Sequence, residues 1–285
     1  MKTLCWNCNG LGNPLTVKAL RDWCWRDRPN AVFVMETKID AQRLELIRNS
    51  CGFATGLCLS SNRRSGGLGL WWRDLNVEVV SYSAHHIEAN VCDASGVPSW
   101  KMVGVYGWPE ATQKYRTWDL MRNIHAGCSI PMLYFGDFNE ILGVHEKSGG
   151  VTRGERQMDG FRNALEDCGL RDLVYKGSIY TWERGISIDT LVRERLDRYA
   201  ASNGWCSMFP YAEVINFPIC QSDHAAILLK FGEKDECDRK GKIFRFEALW
   251  LSNDECSKVV SDAWQGGLSE PMHTTIARVA EDLSN

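Results

Sequence analysis

Short apolar runs alternate with amphipathic segments along the first 232 residues, a pattern typical of a domain that mixes strands with helices. Apolar residues recur at helical spacing in residues 14–28, 40–50, 111–124 and 155–168, which predicts four helices. Asn13 and Pro14 mark the start of the first, because Asn caps a helix and Pro fits its first turn. Compact apolar runs at residues 2–6, 31–35, 132–135 and 225–231 predict strands.

Residues 66–106 follow a different pattern. Apolar runs at 67–72, 77–82, 87–91 and 101–106 are separated by turn residues, which predicts an antiparallel meander. Strands that alternate with hairpins and helices favour two packed sheets flanked by helices. The predicted fold class is therefore α+β, a four-layer α/β/β/α sandwich of two mainly antiparallel sheets.

A change in charge density predicts the end of this domain. Residues 232–242 contain eight charged residues in eleven, as in a solvated boundary. We expect one domain over residues 1–232, followed by a charged linker and partial helical connector over 233–285. The connector has an apolar run at 243–251 and a helical pattern near 256–264, too little to form a core of its own.

Composition narrows the class of protein. A hydrophobic fraction of 44% with 24% charged residues is that of a folded globular chain. No apolar run approaches the roughly 20 residues of a membrane helix, and no signal-peptide pattern opens the chain. Twelve cysteines in this context suggest reduced thiols and a nuclear or cytoplasmic protein.

Net charge argues against a protein that coats nucleic acid by bulk charge. The formal value is −3, and the acidic excess lies beyond residue 232. The first 232 residues are near neutral but contain local groups of arginines that can contact phosphates. These groups are Arg63 with Arg64, Arg153 with Arg156, and Arg193, Arg195 and Arg198.

Several familiar sequence motifs are incomplete or absent in this chain. Cys5 and Cys8 have the spacing of half a zinc site, but no second pair follows at suitable spacing, so we favour buried structural thiols. The glycine patterns of dinucleotide-binding and P-loop proteins are incomplete or absent. The nucleophile elbow and the deaminase zinc motif are absent too.

Polar residues of one chemical kind follow several of the apolar runs. Taken singly, each is best explained as a solvated strand end. Taken together, carboxylate and amide oxygens suit a hard cation such as Mg²⁺ or Mn²⁺, and a His with Asp neighbours suits phosphate chemistry. We expect them to converge at one mouth of the sandwich. They are Asn7, Asn9, Glu36, Tyr106, Asp137, Asn139, Asp197, Asp223 and His224.

Six motifs in fixed order contain these residues. They are Trp6-Asn7-Cys8-Asn9-Gly10-Leu11, Met35-Glu36-Thr37-Lys38, Val105-Tyr106, Gly136-Asp137-Phe138-Asn139, Arg195-Leu196-Asp197 and Ser222-Asp223-His224. Over residues 1–232 their order and spacing resemble the endonuclease/exonuclease/phosphatase superfamily, which includes deoxyribonuclease I, exonuclease III and the apurinic/apyrimidinic endonucleases. Further stretches, such as Glu146-Lys147-Ser148-Gly149-Gly150, look like the endonuclease region of plant LINE-type retrotransposon polyproteins, where a reverse transcriptase follows.

The resemblance implies a deoxyribonuclease I-like fold and a role for each matched side chain. Asp137 would orient or deprotonate the attacking water, and Asn139 and Tyr106 would contact the phosphate. Asp197 would pair with the catalytic His224 and hold it protonated, so the pKa of His224 should lie above its unperturbed value of about 6.5.

Three further matches imply metal ligands, and others imply DNA contacts. Glu36 matches the main metal-binding carboxylate, with Asn7 and Asp223 beside it. Asn9 stands where the repair enzymes carry Asp, which removes one possible metal ligand and disfavours abasic-site repair. Thr181 matches a DNA-facing loop position. The expected DNA contacts are Thr181, Arg63, Arg64, Arg153, Arg156 and Arg198.

The resemblance predicts a DNA endonuclease that uses Mg²⁺ or Mn²⁺ and leaves a 3′ hydroxyl, which in the family primes reverse transcription. A phosphatase or an RNA nuclease of the same superfamily is an alternative, and so is an inactive nucleic-acid-binding relic. DNA is the expected partner, with a reverse transcriptase region in a longer polyprotein as a further possibility. Target sequence and oligomeric state stay open.

Overall fold

The computed structural model describes residues 1–62, 66–185, 187, 189–232, 258, 260–262 and 264. The helices are α1 (Pro14–Asp27), α2 (Ala41–Ser50), α3 (Tyr115–Ala126), α4 (Glu155–Asp167) and α5 (Asn203–Met208), with a 3₁₀ turn at Val144–Glu146. The strands are β1 (Lys2–Asn7), β2 (Ala31–Met35), β3 (Thr55–Leu59), β4 (Leu68–Trp72), β5 (Asn76–Tyr82), β6 (His86–Cys92), β7 (Pro98–Tyr106), β8 (Met132–Asp137), β9 (Lys147–Ser148), β10 (Leu170–Asp172), β11 (Tyr175–Gly177), β12 (Trp182–Arg184), β13 (Val192–Glu194), β14 (Asp197–Ser202), β15 (Glu213–Asn216) and β16 (Ile227–Lys230).

The strands of the described residues form two large sheets and one small one. The first sheet has the order β11-β15-β16-β1-β2-β4-β3, the second β10-β14-β8-β7-β6-β5, and the third β12-β13-β9. Three neighbouring pairs run parallel, β1 with β2, β7 with β8, and β11 with β15. The remaining neighbours are antiparallel, so the prediction of two mainly antiparallel sheets is confirmed. The predicted meander is confirmed for β5, β6 and β7. It is wrong for the run at 67–72, which forms β4 and pairs with β2 and β3 in the first sheet.

Side chains point alternately to the two faces of each central strand, and this alternation produces the layers. In β1, Leu4 and Trp6 pack against α1 and α2, whereas Cys5 packs between the two sheets. The outer face of the second sheet is covered by α3 and α4, for example by Trp118 and Phe161. Because successive side chains point to opposite faces, a strand covered on both faces is apolar throughout. The order of layers is helices, sheet, sheet, helices.

The predicted helices form, with shifted ends. Asn13 caps α1 through its side chain, which accepts a hydrogen bond from the Leu15 amide. α3 begins at Tyr115 rather than 111, because the residues before it form turns. The short strands β9 to β13 and the helix α5 were not predicted, since two- and three-residue strands show no usable periodicity.

The chain divides into two compact units, Met1–Glu233 and Lys234–Asn285. In the second unit, Lys258, residues 260–262 and Trp264 are helical. The predicted apolar run at 243–251 and most of the helical pattern near 256–264 lie outside the described residues. Within the described part, no helix is long and apolar enough to cross a membrane.

Candidate active site

The two central parallel strand pairs bring polar side chains to one end of the sandwich. β1 and β2 are joined through α1, and β7 and β8 through α3, so the carboxyl ends of each pair lie together. Asn7, Tyr106 and Asp137 end β1, β7 and β8, and Glu36 directly follows β2. The antiparallel β14 begins there with Asp197, paired in register with Asp137.

Asn7 links the two sheets at the centre of the site. Its Nδ2 lies 3.3 Å from Glu36 Oε1, 3.0 Å from Asp137 Oδ2 and 3.4 Å from His224 Nε2. The residue is only 1% exposed, so these contacts are shielded from water. A single amide therefore donates to both Glu36 and Asp137, with the His224 ring beside it, although these positions are separated by almost the whole described domain in sequence.

His224 is held by two carboxylates. Its Nδ1 lies 2.8 Å from Asp197 Oδ2, and its Nε2 lies 3.8 Å from Asp137 Oδ2. Burial lowers the pKa of His224, but the charges of Asp197 and Asp137 outweigh burial and raise this pKa to about 9. The ring is therefore an imidazolium at neutral pH, the direction that the sequence predicted.

Asp137 is buried, and its pKa differs from that of an ordinary carboxyl. Its Oδ1 accepts from the Asn139 amide at 2.8 Å, and its Oδ2 accepts from Asn139 Nδ2 at 3.3 Å. Burial raises the pKa of Asp137 to about 7, although His224 acts in the opposite direction. A carboxyl with a pKa near 7 is suited to take up a proton at neutral pH.

Glu36 remains a partly exposed carboxylate. Tyr106 donates its hydroxyl hydrogen to Glu36 Oε1 at 2.7 Å, and Lys38 Nζ lies 3.1 Å from Oε2. Burial raises the pKa of Glu36, but the hydrogen bonds from Tyr106 and Lys38 outweigh it, and the net pKa is lowered. Burial and the Glu36 charge raise the pKa of Tyr106, so the phenol stays a neutral donor.

Left-handed backbone conformations concentrate around these side chains. Five non-glycine residues with φ between 47° and 59° belong to the site or its flanks: Asn9, Glu36, Lys38, Asn139 and Gln221. Such conformations are uncommon outside glycine and persist where the surroundings impose them. The backbone is thus held in the geometry that orients the site.

Residues 4–224 match the sequence profile of the Endonuclease/Exonuclease/phosphatase family. The chain belongs to the endonuclease/exonuclease/phosphatase family. The match covers every element that carries the site. No curated protein matches the chain.

Solved structures share the fold of this family member at low identity. The 3′–5′ exonuclease NExo from Neisseria meningitidis is 17% identical, with a TM-score of 0.59 over 81% of this chain and 99% of that one. The AP endonuclease LMAP from Leishmania major is 14% identical, with a TM-score of 0.60 over 80% and 86%. The endonuclease domain of TRAS1, a telomere-specific non-LTR retrotransposon, is 13% identical, with a TM-score of 0.58 over 82% and 99%. The fold is therefore deoxyribonuclease I-like.

Oxygen donors make this family site suitable for a hard cation. Glu36 is ionised, and 22% of its side chain is exposed. The Glu36 carboxylate already has one positive charge beside it, the ammonium group of Lys38. Asp137, Asp197 and His224 also lie within 4.8 Å of one another, but their side chains are buried and His224 Nδ1 is bonded to Asp197. Glu36, rather than this triad, is therefore the residue whose chemistry suits a hard divalent cation.

Asp223 joins the site through a relay. Its Oδ1 accepts from Asn9 Nδ2 at 2.8 Å, and its Oδ2 accepts from Trp182 Nε1 at 3.0 Å. Asn9 Oδ1 in turn accepts from Lys38, which pairs with Glu36. An Asp at position 9 would oppose Asp223 with a second carboxylate, so the Asn complements its neighbour.

Two predicted DNA contacts are wrong, because their side chains are buried. Arg198 is fully buried and bonded to Glu146 and Asp172, and its guanidinium lies over the Phe161 ring. Thr181 is 0% exposed, and its hydroxyl accepts from the amides of Leu196 and Asp197, so it supports the His224 partner instead.

The other predicted arginines differ in availability. Arg153 is mostly buried and pairs with Glu140 and Glu194. Arg156 is exposed at the start of α4, as a phosphate contact requires. Arg63 and Arg64 lie outside the described residues.

Three supporting residues were not assigned a role from sequence. Lys38 stands two positions after Glu36, inside a motif already quoted, and could have been found there. Trp182 bonds Asp223. Lys114 is buried and donates to the Asn139 carbonyl and to Glu140, which supports the left-handed backbone of Asn139. Trp182 stands in the stretch Tyr180-Thr181-Trp182, directly after the matched Thr181, whereas Lys114 stands in no recognisable motif.

Proposed function

We propose that the protein is a metal-dependent DNA endonuclease that nicks one strand and leaves a 3′ hydroxyl, as in retrotransposon target-site cleavage. The observation that carries the proposal is the shared cluster of Asn7, Glu36, Asp137 and His224 around one amide nitrogen. It combines a cation-binding carboxylate, a base with a pKa near 7 and a charged donor. Hydrolysis of a phosphodiester needs all three functions within a few ångströms.

Each side chain supports a separate requirement of the reaction. Asp137 accepts a proton from the attacking water, since its pKa of about 7 leaves a substantial unprotonated fraction at neutral pH. His224, held charged by Asp197, donates a hydrogen bond to the phosphate as negative charge develops. Asn139 and Tyr106 orient the Asp137 and Glu36 carboxylates through the hydrogen bonds that they donate to them. Glu36, with Asn7 beside it, would hold a divalent cation, which would supply Lewis acidity at the phosphate.

Nicking of a supercoiled plasmid tests the proposal. Purified protein with Mg²⁺ should convert supercoiled to open-circular DNA, and EDTA should abolish the conversion. DNA polymerase should then extend the nick directly with labelled nucleotides, which requires a 3′ hydroxyl. Asp137→Asn serves as the inactive control, because the amide keeps the size of the side chain but cannot take up the proton.

The alternatives give different outcomes in parallel assays. A phosphatase would release phosphate from a 3′-phosphorylated oligonucleotide without nicking the plasmid, and an RNA nuclease would cut only the matched RNA. A relic would bind DNA and cut nothing. The distance of 2.8 Å between His224 Nδ1 and Asp197 Oδ2 is that of an intact hydrogen bond, which favours an active enzyme over a relic.

A further inference from the structure

A histidine in the turn between β5 and β6 has no part in the reaction described above. His85 directly precedes β6, and its amide donates to Ser83 Oγ at 3.0 Å. The Ser83 amide donates to the His86 carbonyl at 2.9 Å, which closes the turn. His86 pairs in register with Val105, so the backbone of His85 is fixed beside the end of β7.

Two hydrogen bonds join His85 to the two sides of Tyr106. The Tyr106 amide donates to the His85 carbonyl at 2.8 Å, which continues the pairing of β6 with β7. His85 Nδ1 lies 2.9 Å from the Tyr106 carbonyl, and because a carbonyl can only accept, Nδ1 carries the hydrogen. Burial lowers the pKa of His85, so the ring is neutral at neutral pH. The side chain therefore adds a second bond, which holds the carbonyl of Tyr106.

The His85 ring also stacks on neighbouring aromatic rings. Its centroid lies 3.6 Å from that of Trp108 with an interplanar angle of 13°, and 5.9 Å from that of Tyr106 with an angle of 3°. The Trp108 amide donates to Thr117 Oγ1 at 3.1 Å, which fixes Trp108 against the start of α3. Because stacked aromatic pairs are favourable in such geometry, the ring of His85 is kept in the plane from which Nδ1 reaches the Tyr106 carbonyl.

The peptide between Tyr106 and Gly107 holds two parts of the catalytic cluster. On one side of it, the Tyr106 hydroxyl donates to Glu36 Oε1 at 2.7 Å. On the other, the Gly107 carbonyl accepts from Asn139 Nδ2 at 2.9 Å, and the Gly107 amide donates to the Asp137 carbonyl at 2.7 Å. The orientation of this peptide therefore affects where both the phenol and the Asn139 amide lie.

Gly107 makes this peptide dependent on its hydrogen bonds. A Cβ at position 107 would lie 2.5 Å from the Phe138 carbonyl oxygen, so the close approach requires glycine. Glycine restricts its own backbone less than any other residue. The planar peptide is then oriented by its two bonds, the carbonyl to His85 and the N–H to Asp137.

We propose that His85 is a positioning residue of the active site, whose Nδ1–H holds the Tyr106–Gly107 peptide and thereby keeps the Tyr106 phenol on Glu36 and the Gly107 carbonyl on Asn139. The inference rests on the proposed function, because it concerns Glu36, the residue proposed to hold the cation. His85 acts through Tyr106 and Gly107 rather than on the DNA.

The tautomer of His85 is measured first, in EDTA and without DNA. Long-range proton–nitrogen correlation NMR distinguishes Nδ1–H from Nε2–H rings, and His85→Asn assigns the signal. Wild type should show His85 as the neutral Nδ1–H form at neutral pH. An Nε2–H ring or a charged ring overturns the inference, whatever the activity of the protein.

A double-mutant cycle then tests whether His85 acts through the phenol. Tyr106→Phe removes the hydroxyl that bonds Glu36 and leaves the Tyr106 carbonyl in place. Mn²⁺ binding is measured by calorimetry without DNA in wild type, His85→Ala, Tyr106→Phe and the double variant. His85→Ala should weaken binding roughly 2- to 12-fold, the range of one hydrogen bond. It should weaken binding by less than about twofold where Tyr106→Phe is already present, because the phenol that His85 positions is gone.

Two further variants separate the hydrogen bond from general effects. His85→Asn replaces the ring by an amide that can donate to the Tyr106 carbonyl, and it should restore most of the Mn²⁺ affinity. His125→Ala makes the same change at a half-buried histidine in the last turn of α3, and it should bind Mn²⁺ like wild type. In the nicking assay at saturating Mn²⁺, His85→Ala should lower kcat and leave KM for DNA nearly unchanged.

The outcomes distinguish this inference from the proposed function. Equal losses in both backgrounds of the cycle, or His85→Asn as weak as His85→Ala, overturn the positioning role even if plasmid nicking is present. Wild type that binds no Mn²⁺ overturns the proposed function. The cycle is then measured as urea midpoints in EDTA, where non-additive shifts of His85→Ala and Tyr106→Phe support the positioning of the phenol and additive shifts overturn it.

Discussion

Asp197→Asn isolates the charge that keeps His224 protonated. The Asn oxygen can still accept from His224 Nδ1, now at about the present distance of 2.8 Å, so the ring keeps its orientation while the negative charge is lost. The pKa of His224 is about 9, against an ordinary value of about 6.5. That difference corresponds to about 3 kcal/mol in favour of the charged ring.

Without the Asp197 charge, burial should dominate the pKa of His224. We expect a decrease of roughly 1 to 3 pH units, since this is the usual effect of one close opposite charge. The nicking rate at pH 8 should fall by a factor on the order of 10² to 10⁴, because the charged donor is lost. In wild type the rate should rise with pH through about 7, as Asp137 ionises, and fall through about 9.

Stability should change with pH in the same variant. The folded-state pKa of His224 lies above its unfolded value, so its pairing stabilises the fold fully below about 6.5 and is lost as the pH rises through about 9. The Tm difference between wild type and Asp197→Asn should therefore be larger at pH 6 than at pH 9.5. Among the described residues Asp197 Oδ1 is buried without a partner, so the amide nitrogen of the variant replaces an atom that is already unpaired and breaks no further hydrogen bond.

NMR titration of the histidine ring protons measures this pKa directly, with His224→Gln to assign the signal. Asp223→Asn is the matched control for the pKa, because Asp223 contributes less and its oxygens bond Asn9 and Trp182. A pKa that stays near 9 in Asp197→Asn, with an unchanged alkaline limb of the rate profile, would refute the reasoning.

Four further outcomes are expected. Glu36→Gln should raise the Mg²⁺ concentration needed for half-maximal nicking at least tenfold without lowering Tm in EDTA, and an unchanged Mg²⁺ titration would contradict a metal role. Arg198→Ala should reduce the free energy of unfolding by about 3–5 kcal/mol in urea titrations, because buried carboxylates lose their partner. Arg156→Ala should leave Tm unchanged and reduce the slope of log K for DNA binding against log salt concentration by about 1. An unchanged slope counts against a phosphate contact. Removal of residues 234–285 should leave the nicking rate within about twofold, and loss of cooperative unfolding would show that the domain boundary is misplaced.

Strong local signals were sufficient for the central elements of the fold. Asn13 and Pro14 specify the start of α1 by capping and fixed φ, which need no tertiary contact. The apolar run Ala31–Met35 is a strand because both of its faces are covered. Short strands such as β11, which pairs with β15, depend on neighbours distant in sequence, and the sequence did not predict them.

The side chains proposed to act in catalysis could be named from sequence because each lies within a recognisable motif, at or near the end of a strand. Their protonation could be given a direction for His224 but not for Asp137. The pKa of Asp137 depends on burial and on His224, Asn7 and Asn139, and these partners meet only in the folded chain. Desolvation is a property of the assembled site.

What sequence alone determined was the family, the order of layers and the residues that follow the strands; what the tertiary structure decided was the direction in which side chains point. Asp197 and Arg198 are neighbours in β14, and side chains alternate along a strand. Asp197 therefore faces His224, while Arg198 faces α4 and lies over Phe161. In the sequence, the acidic Asp197 and the basic Arg198 look equally able to take part in the site. Only the packing of the sheet against α4 shows that Asp197 is the partner of His224 and that Arg198 is a buried structural charge.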